Sequence, residues 1–250
     1  MLVLLPPSET KRPGGDGPPL ALEGLAHPSL RETRASVVAA LVSLSDDEEA
    51  AARVLKLGKT QRGDIALNAR LRGSPTMPAI DRYTGVLFDA LDAQSLDATA
   101  RAWLSDHVEV HSAPFGPIAA MDPIPGYRMS AAVSLPALGP SKRLWARAVT
   151  DALAASAPGF LLDLRSEAYT ALGPVPMSVP SSYVRVVAAG PDGVARALNH
   201  FNKHAKGELV RRLATTGARI AGRDDMIAWA EANGVDLRPG ERGELLLFAQ

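Results

Sequence analysis

The sequence of 250 residues contains no cysteine, which excludes disulfide bonds, thiolate catalysis and cysteine-based zinc or iron–sulfur sites. It has no net charge, since 27 lysines and arginines balance 27 aspartates and glutamates, so binding of nucleic acid by overall charge is excluded. Aromatic residues are only 5% of the chain, too few for a base-stacking platform. No apolar run approaches the roughly 20 residues of a membrane span. The apolar residues 1–5 stop at Pro6-Pro7 and have no basic start, so we expect no signal peptide. These absences predict a cytoplasmic protein with no membrane partner.

Hydrophobic residues make up 46% of the sequence, enough for a sizeable core, and their spacing predicts a mixture of strands and helices. Strands are predicted at 1–5, 107–111, 129–135, 160–164, 183–188 and 244–248. Helices are predicted to begin near Ser29, Ser45 and Ser141, and to span 95–106, 201–215 and 226–233. Because these elements do not alternate strictly, a Rossmann or TIM architecture is not favoured. We predict one irregular α/β (α+β) domain over residues 1–250.

Residues 189–198 allow two local structures. Pro191-Asp192-Gly193 predicts a turn, after which 194–198 would pair back on the preceding strand as a hairpin. Local propensity alone also allows a helix over 194–198. We therefore expect the hairpin and keep the helix as the alternative.

Two polar segments directly follow predicted core strands, and the end of a core strand is a rigid mount for a working loop. Ser8-Glu9-Thr10-Lys11-Arg12 follows the first strand and supplies one acid and two bases. Arg165-Ser166-Glu167-Ala168-Tyr169 follows the strand at 160–164 and would face a cleft. Each segment has a simpler interpretation, a solvated loop for the first and a helix cap for the second.

A loop rich in proline and glycine, over 114–126, leads to Asp122 and then to Tyr127 and Arg128. Loops of this length in a compact domain are often functional. The arginine offers a planar fork for phosphate or carboxylate, and the tyrosine can stack or form hydrogen bonds. The alternative is a structural loop in which Asp122 binds backbone N–H groups.

The helix predicted at 201–215 carries a candidate basic ridge of Lys203, Lys206 and Arg211. Such a ridge can contact phosphates, although a solvated helix face has the same composition. Gly207 costs this helix roughly 1 kcal/mol relative to alanine, which predicts close approach of another backbone or a ligand.

Motifs for metals and cofactors are missing. His200 and His204 have the spacing of a two-histidine metal site, but no HExxH pattern surrounds them. There is no P-loop, GxGxxG, GxSxG or zinc-ligand set either. We therefore predict no metal site and no cofactor.

Several short motifs occur in a fixed order along most of the chain. They are the apolar start with Pro7-Ser8-Glu9, Tyr83-Thr84-Gly85, His111-Ser112 with Gly116, Asp122, Tyr127-Arg128-Met129, Trp145, Asp163-Leu164-Arg165-Ser166-Glu167-Ala168-Tyr169, Lys203-His204-Ala205-Lys206-Gly207 and Gly243-Glu244-Leu245. No single motif is specific, but the ordered set resembles the YaaA family of bacterial peroxide-stress proteins.

The resemblance implies a cytoplasmic, single-domain protein of mixed α/β fold with a positively lined cleft and a helix-hairpin-helix-like element. It also implies DNA binding and protection from hydrogen peroxide, partly by limiting damage from unincorporated iron. We expect a monomer that binds double-stranded or distorted DNA without sequence specificity. The expected phosphate-binding residues are Lys11, Arg128, Lys203, Lys206 and Arg211.

Two other functions stay open. The same cleft could belong to an enzyme that acts on a nucleobase-like or phosphorylated small molecule. Its lining would be Ser8, Glu9, Asp122, Tyr127, Ser166, Glu167, Tyr169 and His204. Iron sequestration through Glu9, Asp122 and His204 is the weakest hypothesis, because these residues have no compact ligand spacing.

The sequence departs from the family pattern at cationic positions. Ala119-Ala120 stands where many relatives have Arg-Pro, and Ser134 where they have arginine. Thr10-Lys11-Arg12 replaces the frequent Gly-Lys-Thr. These departures predict weaker affinity for DNA than the resemblance alone implies.

Overall fold

The structure, a computed structural model, describes residues 1–189, 195–197 and 201–248. Its strands are β1 (Leu2–Leu5), β2 (Met77–Pro78), β3 (Val108–Ser112), β4 (Gly116–Ala119), β5 (Pro123–Ile124), β6 (Ser134–Leu135), β7 (Gly139–Pro140), β8 (Leu161–Asp163), β9 (Ser181–Ala189), β10 (Ala195–Ala197), β11 (Leu237–Pro239) and β12 (Leu245–Phe248).

The α-helices are α1 (Arg31–Leu44), α2 (Glu48–Val54), α3 (Ile65–Ala69), α4 (Ala79–Arg82), α5 (Val86–Leu91), α6 (Ala98–His107), α7 (Ser141–Ser156), α8 (Glu167–Thr170), α9 (Phe201–Thr216) and α10 (Arg223–Ala232). Short 3-10 helices lie at Leu22–Gly24, Pro28–Leu30, Lys59–Asp64, Ala93–Ser95 and Glu241–Gly243. None of the described helices is both long and apolar enough to span a membrane.

An eight-stranded mixed sheet forms the centre of the fold, in the order β11-β12-β9-β8-β1-β3-β4, with β10 paired to β9. Strands β3, β1, β8, β9 and β12 run parallel to their neighbours in this series. Strands β4, β10 and β11 pair antiparallel. This arrangement confirms the predicted mixed α/β class.

The first strand lies in the interior of the sheet because most of it can be buried. Val3, Leu4 and Leu5 are 0% exposed, as expected of a parallel strand covered on both faces. The strand pairs with β3 on one side and with β8 on the other. The strands that follow β1 are therefore added first on one side of it, with β3 and β4, and later on its other side, with β8, β9 and β12. In open α/β sheets such a switch point, at the carboxyl ends of the strands, is where ligands bind.

The long helices pack by amphipathic stripes, as their spacing predicts. In α7, Trp145, Val149 and Leu153 recur every four residues, and all three are buried. In α6, Trp103 and Leu104 point inward as predicted, and the indole N–H of Trp103 donates to the Ala218 carbonyl oxygen at 3.0 Å.

The predicted long loop at 114–126 is wrong in part, because it contains β4 and β5. Gly116 has φ of +66°, which turns the chain back so that β4 pairs with β3. Since β4 is an edge strand, its Pro117 costs little in sheet hydrogen bonding. Tertiary pairing thus overrides the loop-forming composition.

The strand predicted at 129–135 is also mostly wrong. Residues 130–133 form a turn, in which Val133 N–H donates to the Ser130 carbonyl oxygen at 3.2 Å, and only β6 remains extended. The hairpin prediction is confirmed for β10, which pairs antiparallel with β9. The predicted turn at Pro191-Asp192-Gly193 lies outside the described residues.

Candidate functional site

The loops that follow β1, β3 and β8 meet at the carboxyl edge of the sheet. The side chains gathered there, called the strand-edge site below, are Lys11, Tyr83, His111, Ser112, Tyr127, Arg128, Asp163 and Arg165. They come from three strand ends and from two segments that pack against these ends.

Lys11 is held at this edge by its own backbone. It forms an isolated antiparallel bridge with Tyr83, and Thr84 N–H donates to the Thr10 carbonyl oxygen at 3.2 Å. Its Nζ donates to the carbonyl oxygens of Ser8 and Glu9 at 3.0 and 3.2 Å. The position of this amine is therefore set by fixed backbone groups.

Two tyrosine rings flank the Lys11 amine, at 3.9 Å for Tyr127 and 5.4 Å for Tyr83, measured from Nζ to the ring centroids. Burial, followed by the positive charge of Arg128, lowers the pKa of Lys11 to about 7. The nearby carboxylate of Glu9 opposes this shift. Near neutral pH this lysine is thus divided between ammonium and free amine.

A chain of buried hydroxyl groups supports the tyrosines. Ser112 Oγ donates to Tyr127 Oη at 3.0 Å, and the hydroxyls of Tyr127 and Tyr83 are 2.8 Å apart. Burial raises the pKa of both phenols, so both stay neutral at physiological pH. The network fixes the two rings in place and carries no charge of its own.

Arg128 brings a second cation to the edge. Its Nη2 contacts Glu9 Oε2 at 2.7 Å, and its Nη1 lies 3.7 Å from Asp64 Oδ2. The Asn68 amide both accepts from the Arg128 backbone N–H and donates to its carbonyl oxygen, each at 2.8 Å. The backbone is thus fixed by Asn68, while the guanidinium has carboxylate partners that reach solvent.

The loop after β8 contains a buried ion pair. Asp163 accepts from Arg165 Nε at 2.9 Å and from Nη2 at 2.7 Å in a bidentate contact. Arg165 is 0% exposed, and its Nη1 also donates to the Gly173 carbonyl oxygen and to His111 Nδ1, both at 2.9 Å. This pair ties the ends of β3 and β8 together.

The contact with Arg165 fixes the state of His111. Because a guanidinium can only donate, Nδ1 accepts and the ring proton lies on Nε2. Burial, together with the charge of Arg165, lowers the pKa of His111 well below its usual value, so the ring is neutral. Nε2 has no hydrogen-bond partner among the described residues.

A family model described as "Peroxide stress protein YaaA" matches residues 1–233 of this chain. The chain belongs to the YaaA family. A UPF0246 protein of Corynebacterium efficiens is 43% identical, with 99% of each chain covered. A UPF0246 protein of Streptomyces coelicolor is 40% identical over 91% of this chain and 88% of its own. The family predicted from the ordered motifs is confirmed.

In this YaaA-family chain, the strand ends bring several predicted residues together. Lys11, Tyr127 and Arg128 lie in the strand-edge site, and Ser8 and Glu9 supply the carbonyl oxygens that accept from Lys11. Tyr169 is half-buried, and its ring packs edge-on against His111, with the centroids 5.8 Å apart.

The predicted basic ridge on α9 is wrong in its geometry. Lys206 is only 4% exposed, and its Nζ donates to the Leu164 carbonyl oxygen at 3.0 Å. Burial lowers the pKa of Lys206 to about 8. Arg211 binds the carbonyl oxygens of Leu91 and Asp92, both at 2.9 Å, at the end of α5. Lys203 is exposed on the helix surface.

Other candidates hold structural partners. Asp122 Oδ2 accepts from the backbone N–H groups of Ala26 and Ala119 at 2.8 and 2.9 Å, which matches the structural alternative for that loop. His204 Nδ1 lies 3.3 Å from Glu208 Oε2 on the exposed side of α9, while His200 lies outside the described residues.

Ser166 and Glu167 begin the short helix α8 rather than line the strand-edge site. Ser166 occupies the N-cap position, which matches the simpler interpretation of that segment, although its side chain makes no capping hydrogen bond. Glu167 is exposed, and its Oε1 lies 3.8 Å from Arg185 Nη1. The helix follows Arg165 directly and so fixes where the loop after β8 leaves the sheet.

Sequence reasoning missed most partners of the site. Tyr83, His111 and Asp163 are predicted only as members of the family-like motifs, and Asn68 is in none of them. The buried Arg82 was missed as well, although it donates to the carbonyl oxygens of Arg12, Gly14, Pro75 and Ile124. These residues contact the strand-edge site from distant parts of the chain, so local spacing gives no signal for them.

The lowered pKa of Lys11 predicts a stability that rises with pH. Between about pH 7 and 9 the unfolded chain binds more protons at this lysine than the folded chain, so raising the pH favours folding, and we expect about 1–2 kcal/mol. Lys11→Met should remove much of that rise in urea unfolding at each pH, whereas exposed Lys142→Met should not. Equal pH slopes for wild type and Lys11→Met would contradict the assignment.

Proposed function

We propose that this chain protects DNA during peroxide stress by binding duplex DNA through its phosphates, without reading sequence. The role in peroxide stress follows from membership of the YaaA family of peroxide stress proteins. The observation that carries DNA binding is the uneven distribution of charge. Residues 53–72, called the basic segment below, contain six cationic residues and one acidic residue in a chain of zero net charge. A local excess of this kind can bind phosphates although the whole chain is neutral.

The basic segment is well exposed. It runs from the end of α2 through the 3-10 helix Lys59–Asp64 to α3 and the turn after it. Of its cationic residues, five are exposed, and the sixth, Arg62, pairs with Glu49. The exposed five are Arg53, Lys56, Lys59, Arg70 and Arg72. Flexible exposed cations contact phosphates without specifying bases, which fits binding without sequence preference.

The basic segment also borders the strand-edge site. Asp64 contacts the Arg128 guanidinium, and Asn68 holds the Arg128 backbone. We therefore assign phosphate contacts to the basic segment and Arg128. Lys203, on the surface of α9, is exposed and is kept as a separate candidate. Lys11, Lys206 and Arg211 instead have internal partners.

In this proposal iron is a cause of DNA damage and is not bound by the protein. The three residues considered as iron ligands have other partners, since Glu9 pairs with Arg128, Asp122 with backbone N–H groups and His204 with Glu208. In the described part of the chain, no group of three or more His, Asp or Glu side chains could hold a metal ion. We propose that the protein shields DNA by covering it.

Binding should weaken steeply as salt is raised from about 50 to about 200 mM, because each phosphate contact releases a counterion. The binding constant of a labelled duplex is measured by fluorescence anisotropy. Its logarithm should fall linearly with the logarithm of the salt concentration. Arg70→Gln/Arg72→Gln should reduce the slope by about 2, at roughly 0.9 per lost contact. A mismatched, easily bent duplex tests the preference for distorted DNA.

The matched control is Arg238→Gln/Arg242→Gln. It also removes two positive charges, but from exposed residues in and after β11, outside the basic segment. This variant should bind DNA like the wild type. If neither duplex binds at about 50 mM salt, where phosphate contacts are strong, the proposed function is wrong.

A further inference from the structure

One amine lies at the position where an open α/β sheet binds ligands. Lys11 follows the central strand β1, and β1 is flanked by β8 and β3 at the switch point of the sheet. Its neighbours Glu9 and Thr10 are exposed, so the loop that carries the amine faces solvent. DNA binding through the basic segment makes no use of this amine.

We propose that Lys11 forms a Schiff base with the aldehyde of an open-chain sugar that carries a phosphate. Two sources have this chemistry, a free sugar phosphate and an abasic residue within DNA. Reaction with an abasic residue rests on the proposed function, because it requires the chain to bind DNA. Reaction with a free sugar phosphate does not depend on DNA binding.

The geometry of Lys11 suits a nucleophile. A neutral amine has two N–H bonds and one lone pair, and the Ser8 and Glu9 carbonyl oxygens accept two hydrogen bonds from Nζ. When both N–H bonds are used in this way, the lone pair is the one position on the nitrogen that is left to react. Burial and the neighbouring Arg128 lower the pKa of this amine to about 7, which supplies the neutral form that attacks carbonyl carbon.

Arg128 supplies a partner for the phosphate. A guanidinium binds phosphate through two parallel N–H donors. Its carboxylate partners, Glu9 and Asp64, are 64% and 40% exposed, so a phosphate can replace them and leave them hydrated. A ligand that carries both an aldehyde and a phosphate would therefore engage Lys11 and Arg128 together.

The proposed step is balanced without any further reactant. The Nζ lone pair attacks the aldehyde carbon and forms a C–N bond, giving a carbinolamine. The former carbonyl oxygen then leaves as water with the two hydrogens of the amine, and a C=N bond remains. The reaction is reversible, and no group is oxidised or reduced.

Lys206 is the internal comparison. Its pKa is also lowered, to about 8, but the side chain is only 4% exposed and its Nζ contacts the Leu164 carbonyl oxygen. A lowered pKa alone would predict modification of both lysines. Lys11 is half-buried rather than buried, and the residues directly before it are exposed, so we expect modification of Lys11 rather than of Lys206.

The test is trapping with cyanoborohydride, which reduces the Schiff base to a stable amine. Wild-type protein is incubated with a duplex that contains one abasic site, or with deoxyribose 5-phosphate, and modified lysines are mapped by mass spectrometry. Near pH 7 we expect Lys11 to be modified more than about tenfold faster than exposed Lys142, since an ordinary lysine with a pKa of about 10.4 is almost fully protonated there. Modification of Lys11 should level off above about pH 7 to 8, while that of Lys142 keeps rising.

Mapping on the wild-type protein keeps the test valid even if Lys11→Met does not fold; if it folds, that variant should lose the adduct. Selective modification of Lys11 by either probe supports the proposal. Modification of Lys206, of Lys142 or of the N-terminus in preference to Lys11, or of no lysine, overturns it.

Binding of intact duplex is measured alongside. If duplex binds but Lys11 is unmodified, only this inference fails. If Lys11 reacts with deoxyribose 5-phosphate but no duplex binds, only the proposed function fails.

Discussion

Arg165→Met should lower the free energy of unfolding by about 3–5 kcal/mol, the usual loss when one partner of a buried ion pair is removed. The substitution leaves the Asp163 carboxylate, which is 3% exposed, without its bidentate partner. It also removes the donor to His111 Nδ1 and to the Gly173 carbonyl oxygen. A buried charge without a partner is far more costly than a lost surface ion pair.

Two further variants separate charge from geometry. Arg165→Lys keeps the positive charge but lacks the fork that binds Asp163, so it should also be destabilised. Asp163→Leu/Arg165→Met removes both charges and should be more stable than Arg165→Met, because the unpaired carboxylate is gone. Urea unfolding of the three variants measures these differences. A loss below about 1 kcal/mol for Arg165→Met, the range of a surface pair, would show that the pair is solvated in solution.

Much of the fold follows from hydrophobic patterning. The apolar run at the start of the chain predicts a buried strand, and Val3, Leu4 and Leu5 of β1 are buried between β3 and β8. Repeated apolar residues likewise predict α7 and α9. The short strands β4 and β5 could not be predicted, because Pro117 and Pro123 indicate loop and only pairing with β3 and β2 makes these residues extended.

The position of the strand-edge site could be predicted from the sequence, but most of the side chains that form it could not. The loops that carry Lys11 and Arg165 were predicted from the ends of the two strands before them. Those strands, β1 and β8, pair in parallel, so both loops lie at the same edge of the sheet. The rings of Tyr83 and Tyr127 and the amide of Asn68 reach this edge from distant segments, and no local spacing encodes such contacts. The buried environment that lowers the pKa of Lys11 exists only after the chain has folded.

The orientation of α9 was mispredicted for a related reason. Helical spacing correctly places Lys203 near Lys206, but it does not say which face of the helix meets the sheet. Gly207 decides this, because its lack of a side chain lets α9 pack directly on the backbone of α5. Lys206, the residue before it, is therefore turned inward to the end of β8. The prediction that Gly207 marks a close backbone approach is confirmed.

Gly207→Ala should destabilise the protein by about 1–3 kcal/mol, the usual cost of overpacking. In an ordinary helix the same change stabilises by roughly 1 kcal/mol, so the expected sign is reversed. A Cβ at this position would overlap the Leu87 carbonyl oxygen and lie 3.0 Å from the Leu91 nitrogen. Both are backbone atoms of α5, which cannot rotate away as a side chain can.

The control for Gly207→Ala is Gly63→Ala. An added Cβ at Gly63 meets no atom within 4 Å, and its φ lies outside the left-handed region, so this substitution should be neutral or slightly stabilising. Urea unfolding compares the two variants. Stabilisation by both would mean that α9 and α5 are farther apart in solution than in this structure.

The effect of Gly207→Ala should also reach the strand-edge site. Helix α5 begins two residues after Thr84, whose backbone N–H donates to the Thr10 carbonyl oxygen beside Lys11. If α5 is pushed outward, Tyr83 and the loop of Lys11 must shift or lose this pairing, and water gains access to the amine. The pKa of Lys11 should then rise towards its ordinary value. Gly207→Ala should therefore flatten the rise in stability between about pH 7 and 9, as Lys11→Met does. A less stable variant that keeps the full wild-type pH slope would show that α5 moves independently of the strand-edge site.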